Sequence, residues 1–465
     1  MARLLSLGSA VALLSLLLVA CGPRETPRVA DYRTLGELRV ATRQDAISYR
    51  VDENGQASGF EHDLLLALAD SLEVPVRFIP FPDANRALDA VIRGQVHMAA
   101  AGLGRNERLP LHWTTPLREV EYVIVGHGGG RAVNAETDLA GRTVSVRRGS
   151  LAAEKVSAIR KRLPAVNVHF PIKTDDAKLL ADLAQGALDL VATDRLHYAF
   201  AARIHPELEI VHELPGRSGI AWALPPEQPD FATEVDAFIG DISTNGRLAR
   251  IADRYFGHVR RLDDPAITTF LARIRERLPI FRSFFEEAEA RTGIDWRYIA
   301  AVAYQESHWD PQATSFTGVR GMMMLTGDTA DRLGVDNRLD PRQSILGGAR
   351  YLDMLKDQLP EEIAEPDRTW MATAAYNLGM GHMNGARAIA RRLGKDDRSW
   401  WDLKSVLPLL SRPEYAQRLK AGAARGGEAV VMTENVRNFH DILERLEPPY
   451  EPALTLPQLR LGQAD

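Results

Sequence analysis

Cysteine is almost absent, with one residue, Cys21, in 465. A single thiol excludes a disulfide within the chain and any cluster of cysteine metal ligands. An excess of charge is also missing. The 57 basic and 62 acidic side chains leave −5, which excludes a nucleic-acid-binding chain held by a dominant basic field. Apolar residues at 45% and charged residues at 26% exclude a disordered or collagen-like chain. A long apolar run occurs once, at 4–20, and it is short for a spanning helix. At about 150 residues per domain, the length predicts roughly three structural units.

What is present starts at that run. Residues 1–21 read MARLLSLGSAVALLSLLLVAC, with one basic residue, Arg3, ahead of an apolar core of signal-peptide size. The run ends Leu18-Val19-Ala20-Cys21-Gly22, so the sole cysteine falls where a lipid attachment would need it. This ending resembles a bacterial lipobox. The resemblance implies cleavage before Cys21, a diacylated thiol, and (with Gly22 rather than Asp next) outer-membrane sorting in a Gram-negative cell. An ordinary secretory signal or a short anchor helix are the other readings. Residues 21–33 then form a lipidated tether carrying Pro23, Arg24, Pro27 and Arg28.

From residue 34 to 257 short apolar strands alternate with helical patterns. Strands are predicted at 38–41, 74–79, 94–100, 141–146 and 189–192, and helices at 59–68, 86–91 and 177–183. Such alternation predicts an α/β fold of βαβ units with mostly parallel sheets. The restart at Gly141 predicts two lobes with a cleft between them. GFEHDL at 59–64, NER at 106–108, GRTVSV at 141–146 and GALDLVATD at 186–194 resemble family 3 extracellular solute-binding proteins. That resemblance implies a periplasmic-binding-protein-like fold and a small polar ligand, an amino acid or a stem peptide. It assigns Arg108 to the ligand carboxylate, a geometry suited to guanidinium, and Asp194 to the ligand ammonium. A surface arginine and a strand-end cap are the plainer readings of these two. His97 stands where the family has Asp. Arg147 and Arg148 predict extra positive charge at the cleft edge, favouring an anion, unless they form a solvated loop.

After a polar linker at 258–267 the texture becomes helical through 447, and 448–465 reads as a proline-bearing flexible tail. Phe270, Leu271, Ile274, Leu278, Phe281, Phe284 and Phe285 predict one amphipathic helix, bent near Pro279. Residues 295–307 predict a second, capped by Asp295 and stopped before Pro311. Glu306-Ser307 with Trp309, Pro311, Ala313 and Ser315, then Gly318-x-x-Gly321-Met322-Met323-Met324-Leu325-Thr326, then Ala375-Tyr376-Asn377-Leu378-Gly379 resemble the soluble lytic transglycosylase type of lysozyme-like domain. The resemblance implies cleavage of peptidoglycan glycan strands between MurNAc and GlcNAc, with a 1,6-anhydro-MurNAc end.

The residue chemistry fits that implication. Splitting a glycosidic bond needs an acid on the leaving oxygen. Glu306 ends an otherwise apolar helix, where burial raises a carboxyl pKa. Asp310 lies four residues on but immediately precedes Pro311, which favours a helix end over a second catalytic carboxylate. A single acid suffices if the substrate's acetamido oxygen supplies the nucleophile. Ser307, Met324, Tyr376 and Asn377 are the candidate glycan contacts; helix-end hydroxyl, core packing and helix-stop roles are their plainer readings. Met324 replaces the family's glutamine, and Ala421, Ala423 and Thr433 stand where tyrosines are expected. These departures keep open a non-catalytic wall receptor, and Asp310 keeps open a water-using muramidase. The sequence calls for no cofactor, no metal and no nucleic-acid partner.

Overall fold

The computed structural model describes residues 28–451 apart from 46, 53–54, 173, 260–263, 317 and 418. The signal segment, Cys21, most of the tether, residues 260–263 of the linker, and the tail beyond 451 lie outside the described residues.

The first half is two five-stranded sheets. In the first, Val76–Pro80, Leu38–Thr42 and Met98–Ala99 run parallel, and Ala223–Leu224 and His112–Trp113 complete it antiparallel. In the second, Leu190–Asp194, Thr143–Val146 and Asn167–His169 run parallel, while Arg118–His127 and Leu208–Ile220 are antiparallel. Both sheets are therefore mixed, against the mostly parallel expectation. The antiparallel strands are the ones that cross between lobes. Arg118 and Glu119 pair with Ile220 and Gly219 in a two-stranded ribbon joining them. Leu38–Thr42 has the pattern of a strand covered on both faces, with four of its five residues buried.

The predicted strand at 94–100 shrinks to Met98–Ala99. His97 explains the loss. Its Nδ1 accepts the Arg39 backbone N–H at 2.8 Å and its Nε2 donates to the Ala30 carbonyl at 2.8 Å. The ring thus sews the N-terminal segment to the sheet, and burial holds its pKa below the ordinary value. His97 is a structural tie in this fold.

The second half is all-α. Its predicted first helix is two, Asp264–Glu276 and Leu278–Thr292, because Pro279 sits in a first turn, where its missing N–H costs nothing. A continuous core gathers Phe270, Phe285, Trp296, Tyr304, Trp309 and Trp400. The longest helix, Gly426–Leu446, packs on Trp296–Ser307 and Asp367–Leu378.

That long helix also faces the binding half. Arg437, 3% exposed, donates from Nη2 to the carbonyls of Asp253 (2.7 Å) and Arg254 (3.1 Å) and from Nη1 to Glu434 (2.7 Å). Lys404 pairs with Asp253, Arg254 with Asp367 at 3.2 Å, and Arg203 with Asp441 at 3.4 Å. Trp400 Nε1 donates to Glu434 at 2.7 Å. Buried charges need such opposite partners, and these pairs join the two halves along one seam. A cavity of about 480 Å³ runs along it, lined from both sides by residues such as Asp63, Tyr255, Tyr298 and Trp370.

Candidate active site and ligand cleft

Glu306 occupies the last turn of Trp296–Ser307. Asp295 starts that helix by accepting the Arg297 N–H at 2.8 Å, a cap worth about 1 kcal/mol. Every residue from Tyr298 to Tyr304 is buried, so the helix is anchored in the core on all sides. It stops abruptly. His308 (φ 52°) and Trp309 (φ 55°) are both left-handed, at a cost of about 1–2 kcal/mol each. The buried Trp309 indole offsets this by donating to the Ala300 carbonyl at 2.8 Å. Arg277 adds Nη1 contacts to the carbonyls of His308 (3.2 Å) and Trp309 (3.3 Å). The reversal carries Asp310 off the helix, where it accepts the Gln312 N–H at 3.0 Å.

The Glu306 carboxylate is half-buried and has neither a hydrogen-bond nor an ion-pair partner among the described residues. Burial alone pushes it up to about 7, since the charged form loses water and gains nothing. Beside it runs the turn Gly321–Leu325. Gly321 (φ 83°) is obligatory there, because a Cβ would lie 1.7 Å from the Arg338 carbonyl oxygen. Met324 is left-handed too (φ 48°), and its N–H reaches the Gly321 carbonyl at 3.0 Å. Two hydroxyls hold this turn. Ser307 Oγ donates to the Met322 carbonyl at 2.8 Å, and Tyr376 Oη to the Met323 carbonyl at 2.7 Å. Burial, with the Glu306 charge second, holds the Tyr376 phenol well above its ordinary pKa. Asn377 is exposed at the end of Asp367–Leu378, which Gly379 (φ 85°) terminates. Glu306, Ser307, Met324 and Tyr376 are thus brought together, with Ser307 and Tyr376 turned to the loop rather than to the carboxyl. Of the departures, Thr433 is fully buried and bonded to the Ala429 carbonyl at 2.9 Å.

Between the two lobes lies a second cavity, of about 240 Å³. Asp194 lines it, but its carboxylate caps Arg195–Ala201 through the N–H groups of Leu196 (2.9 Å) and His197 (3.1 Å) and contacts His197 Nδ1 at 2.6 Å. Burial opposes ionisation of both partners. Their mutual attraction wins, raising His197 to about 9 and holding Asp194 far below the usual carboxylate range. Arg108 is exposed and lies outside this cavity. The arginines that line it are Arg43, Arg118 and Arg147. Arg43 is paired with Asp45 at 2.8 Å and Arg147 with Asp176 at 3.1 Å, whereas Arg118 has no carboxylate within ion-pair distance among the described residues and lies over the Phe256 ring at 5.5 Å; the Nε atoms of all three are buried without a hydrogen-bond partner. Arg148 instead lies over the Phe170 ring at 5.1 Å. Arg118 escaped the sequence reading; its one signal is a cation at the head of the apolar strand REVEYVIV.

Asp295, His440 and Glu444 also approach within 4.8 Å of one another. Arg297 already forks onto Asp295 at 2.5 and 3.0 Å, so the acid at this cluster has its cation.

Known proteins match this arrangement from end to end. Residues 38–258 match the family model for bacterial extracellular solute-binding proteins, family 3, and residues 283–399 the model for the transglycosylase SLT domain. A membrane-bound lytic murein transglycosylase F from Thiobacillus denitrificans is 41% identical over 96% of this chain and 94% of its own length. One from Methylobacillus flagellatus is 41% identical over 95% and 94%. Among solved structures, an ancestral arginine-binding protein bound to arginine covers 48% of this chain and 98% of its own, at 25% identity and a TM-score of 0.44. Fold and relatives together define a peptidoglycan lytic transglycosylase, a lyase with a two-lobed binding-protein-like half ahead of its lysozyme-like half. The chain belongs to the membrane-bound lytic murein transglycosylase F family. No helix among the described residues is long and apolar enough to cross a membrane.

Proposed function

We propose that Glu306 is the single acid and base of the lytic reaction. The observation that carries this is its partnerless carboxyl, raised to about 7 in the last turn of a buried helix. Protonated Glu306 gives its proton to the glycosidic oxygen between MurNAc and GlcNAc as the C1–O bond breaks. The MurNAc 2-acetamido oxygen bonds to C1 from the other face and carries the positive charge that develops. Glu306, now a carboxylate, takes the proton of the same sugar's C6 hydroxyl. O6 then displaces the acetamido oxygen at C1, which closes the 1,6-anhydro ring and returns Glu306 to its protonated state without consuming water. Ser307 and Tyr376 act by fixing the turn beside the carboxyl, and Met324 and Asn377 present that turn and the neighbouring helix end to the glycan.

The two-lobed half takes a small ligand, with Arg118, the cleft arginine that has no carboxylate at ion-pair distance among the described residues, as its carboxylate anchor in place of Arg108. Cys21 is the lipid attachment that holds the enzyme on the periplasmic face of the outer membrane. Mass spectrometry of products from purified sacculi tests the reaction. Anhydro-ended muropeptides released by the native protein and lost in Glu306→Gln are expected. Reducing ends would instead indicate water as nucleophile, and release by Glu306→Gln would remove Glu306 from its role.

A further inference from the structure

The two lobes already touch around the cavity between them. A Cβ on Gly104 would lie 1.8 Å from Leu151 Cδ1, and one on Gly149 would lie 2.9 Å from the Asn85 side chain. A guest in the remaining space of about 240 Å³ sheds most of its water, so its charges must be met by the lining.

Three carboxylates of that lining are already matched. Asp45 pairs with Arg43 at 2.8 Å, Asp176 with Arg147 at 3.1 Å and Asp194 with His197 at 2.6 Å. Their side chains are 1%, 4% and 13% exposed, so these cations, not water, neutralise them. The fourth, Glu154, is exposed and accepts the Asn106 amide N–H at 3.2 Å, and water serves its charge. The cation left over is Arg118. Tyr122, four residues on in the same strand, lines the cavity too, and its hydroxyl has no hydrogen-bond partner among the described residues. Two donors therefore stand open to a carboxylate.

No such opening exists for an ammonium at Asp194, the acid expected to receive one. Asp194 accepts two backbone N–H groups besides the His197 ring, and His197, raised to about 9, is charged at neutral pH. An ammonium there would meet a neutralised carboxylate, with the charges of His197 and Arg118 close by and repelling it.

We propose that this cleft takes a small carboxylate whose α-nitrogen is acylated and rejects free α-amino acids, because His197 occupies the place of the ammonium. The inference rests on the Arg118 anchor proposed above and extends it to the other end of the ligand. The carboxylate meets Arg118 and the Tyr122 hydroxyl. The acylated nitrogen is neutral and needs hydrogen bonds alone. Asn85, whose side chain makes none among the described residues, supplies them from the opposite lobe.

The test is calorimetry on the full chain in detergent at pH 7, with alanine, leucine and glutamine against their N-acetyl forms. The N-acetyl forms are expected to bind about ten- to a hundredfold more tightly than their free counterparts, since like charges are kept apart. In His197→Gln the ratio is expected to fall below about two-fold, and in Arg118→Ala both forms are expected to lose their binding. The native comparison decides the ligand class whether or not His197→Gln folds. A free amino acid bound by the native protein as tightly as its N-acetyl form, or an N-acetyl preference that survives in His197→Gln, would overturn the inference and leave the Arg118 anchor standing. Unchanged N-acetyl binding in Arg118→Ala, or no heat from any of the compounds, would overturn the anchor and the inference together.

Discussion

Ser307 and Tyr376 donate hydrogen bonds to adjacent carbonyls of one turn, Met322 at 2.8 Å and Met323 at 2.7 Å. The two residues come from motifs 69 positions apart, yet they do the same thing from opposite sides. Ser307 follows Glu306 directly, so the turn is registered against the carboxyl from its own helix and from the neighbouring one. Tyr376→Phe keeps the ring and removes the donor. A fall in kcat of about ten- to a hundredfold is expected, with stability lowered by about 1 kcal/mol. The kcat and the urea midpoint check the two parts; unchanged kcat would limit Tyr376 to packing.

A carboxyl near 7 sets the alkaline limb of the activity. The first step needs Glu306 protonated, so kcat/KM is expected to be level below about pH 7 and to fall about tenfold per unit above it. Initial rates on soluble glycan strands between pH 5 and 9 measure this. A rate that climbs through pH 8 would mean that another group supplies the proton.

Glu306 should also weaken the fold it serves. Its folded pKa lies above the unfolded carboxylate value, so stability falls as pH rises from about 4.5 and levels off above about 7. Glu306→Gln removes that penalty. At pH 8 the variant is expected to be more stable by about 2–3 kcal/mol, and at pH 4 to match the wild type. Denaturant titrations at both pH values decide it.

In the binding cleft, the histidine of the His197–Asp194 pair has the same sign of pH dependence, in a higher window. With His197 raised to about 9, its stabilising contribution is complete below about pH 6.5 and disappears as pH rises through 9. His197→Gln should lower the melting temperature clearly at pH 6 and little at pH 10. Equal losses at both would show that the ring acts by packing alone.

At the seam, Arg437→Ala leaves Glu434 without its closest cation and two carbonyls of the binding half without a donor. Although Lys404 stays at 3.8 Å from Glu434, a loss of about 2–4 kcal/mol is expected, read from the urea midpoint.

Much of this architecture could be read from residue patterns. Asp295 and the helix stop framed Glu306 correctly, because caps and apolar periodicity are local signals. Glu306's elevated pKa followed from its position in that helix. The positions of the crossing strands were not legible, since pairing of Arg118–His127 with Leu208–Ile220 depends on contacts about a hundred residues apart. Arg108 and Arg118 show the same limit: motif spacing pointed to the first, whereas pairing with Ile220 in the ribbon between the lobes set the second at the cavity. The left-handed pair His308 and Trp309 carries no glycine to announce it. It is held by the indole bond back to Ala300 and by Arg277 on both carbonyls, visible only in three dimensions.

The long helix Gly426–Leu446 has one face in the catalytic core and Arg437 in the backbone of the binding half. The catalytic half is therefore not a portable cassette. A chimaera joined anywhere in 258–267 would separate the guanidinium from the carbonyls of Asp253 and Arg254 that it completes. Moving the cut ahead of Arg247 does not help, because the helix Arg247–Phe256 also packs on the binding half's own helices Phe60–Ser71 and Pro229–Thr244, so it is shared masonry between the two halves.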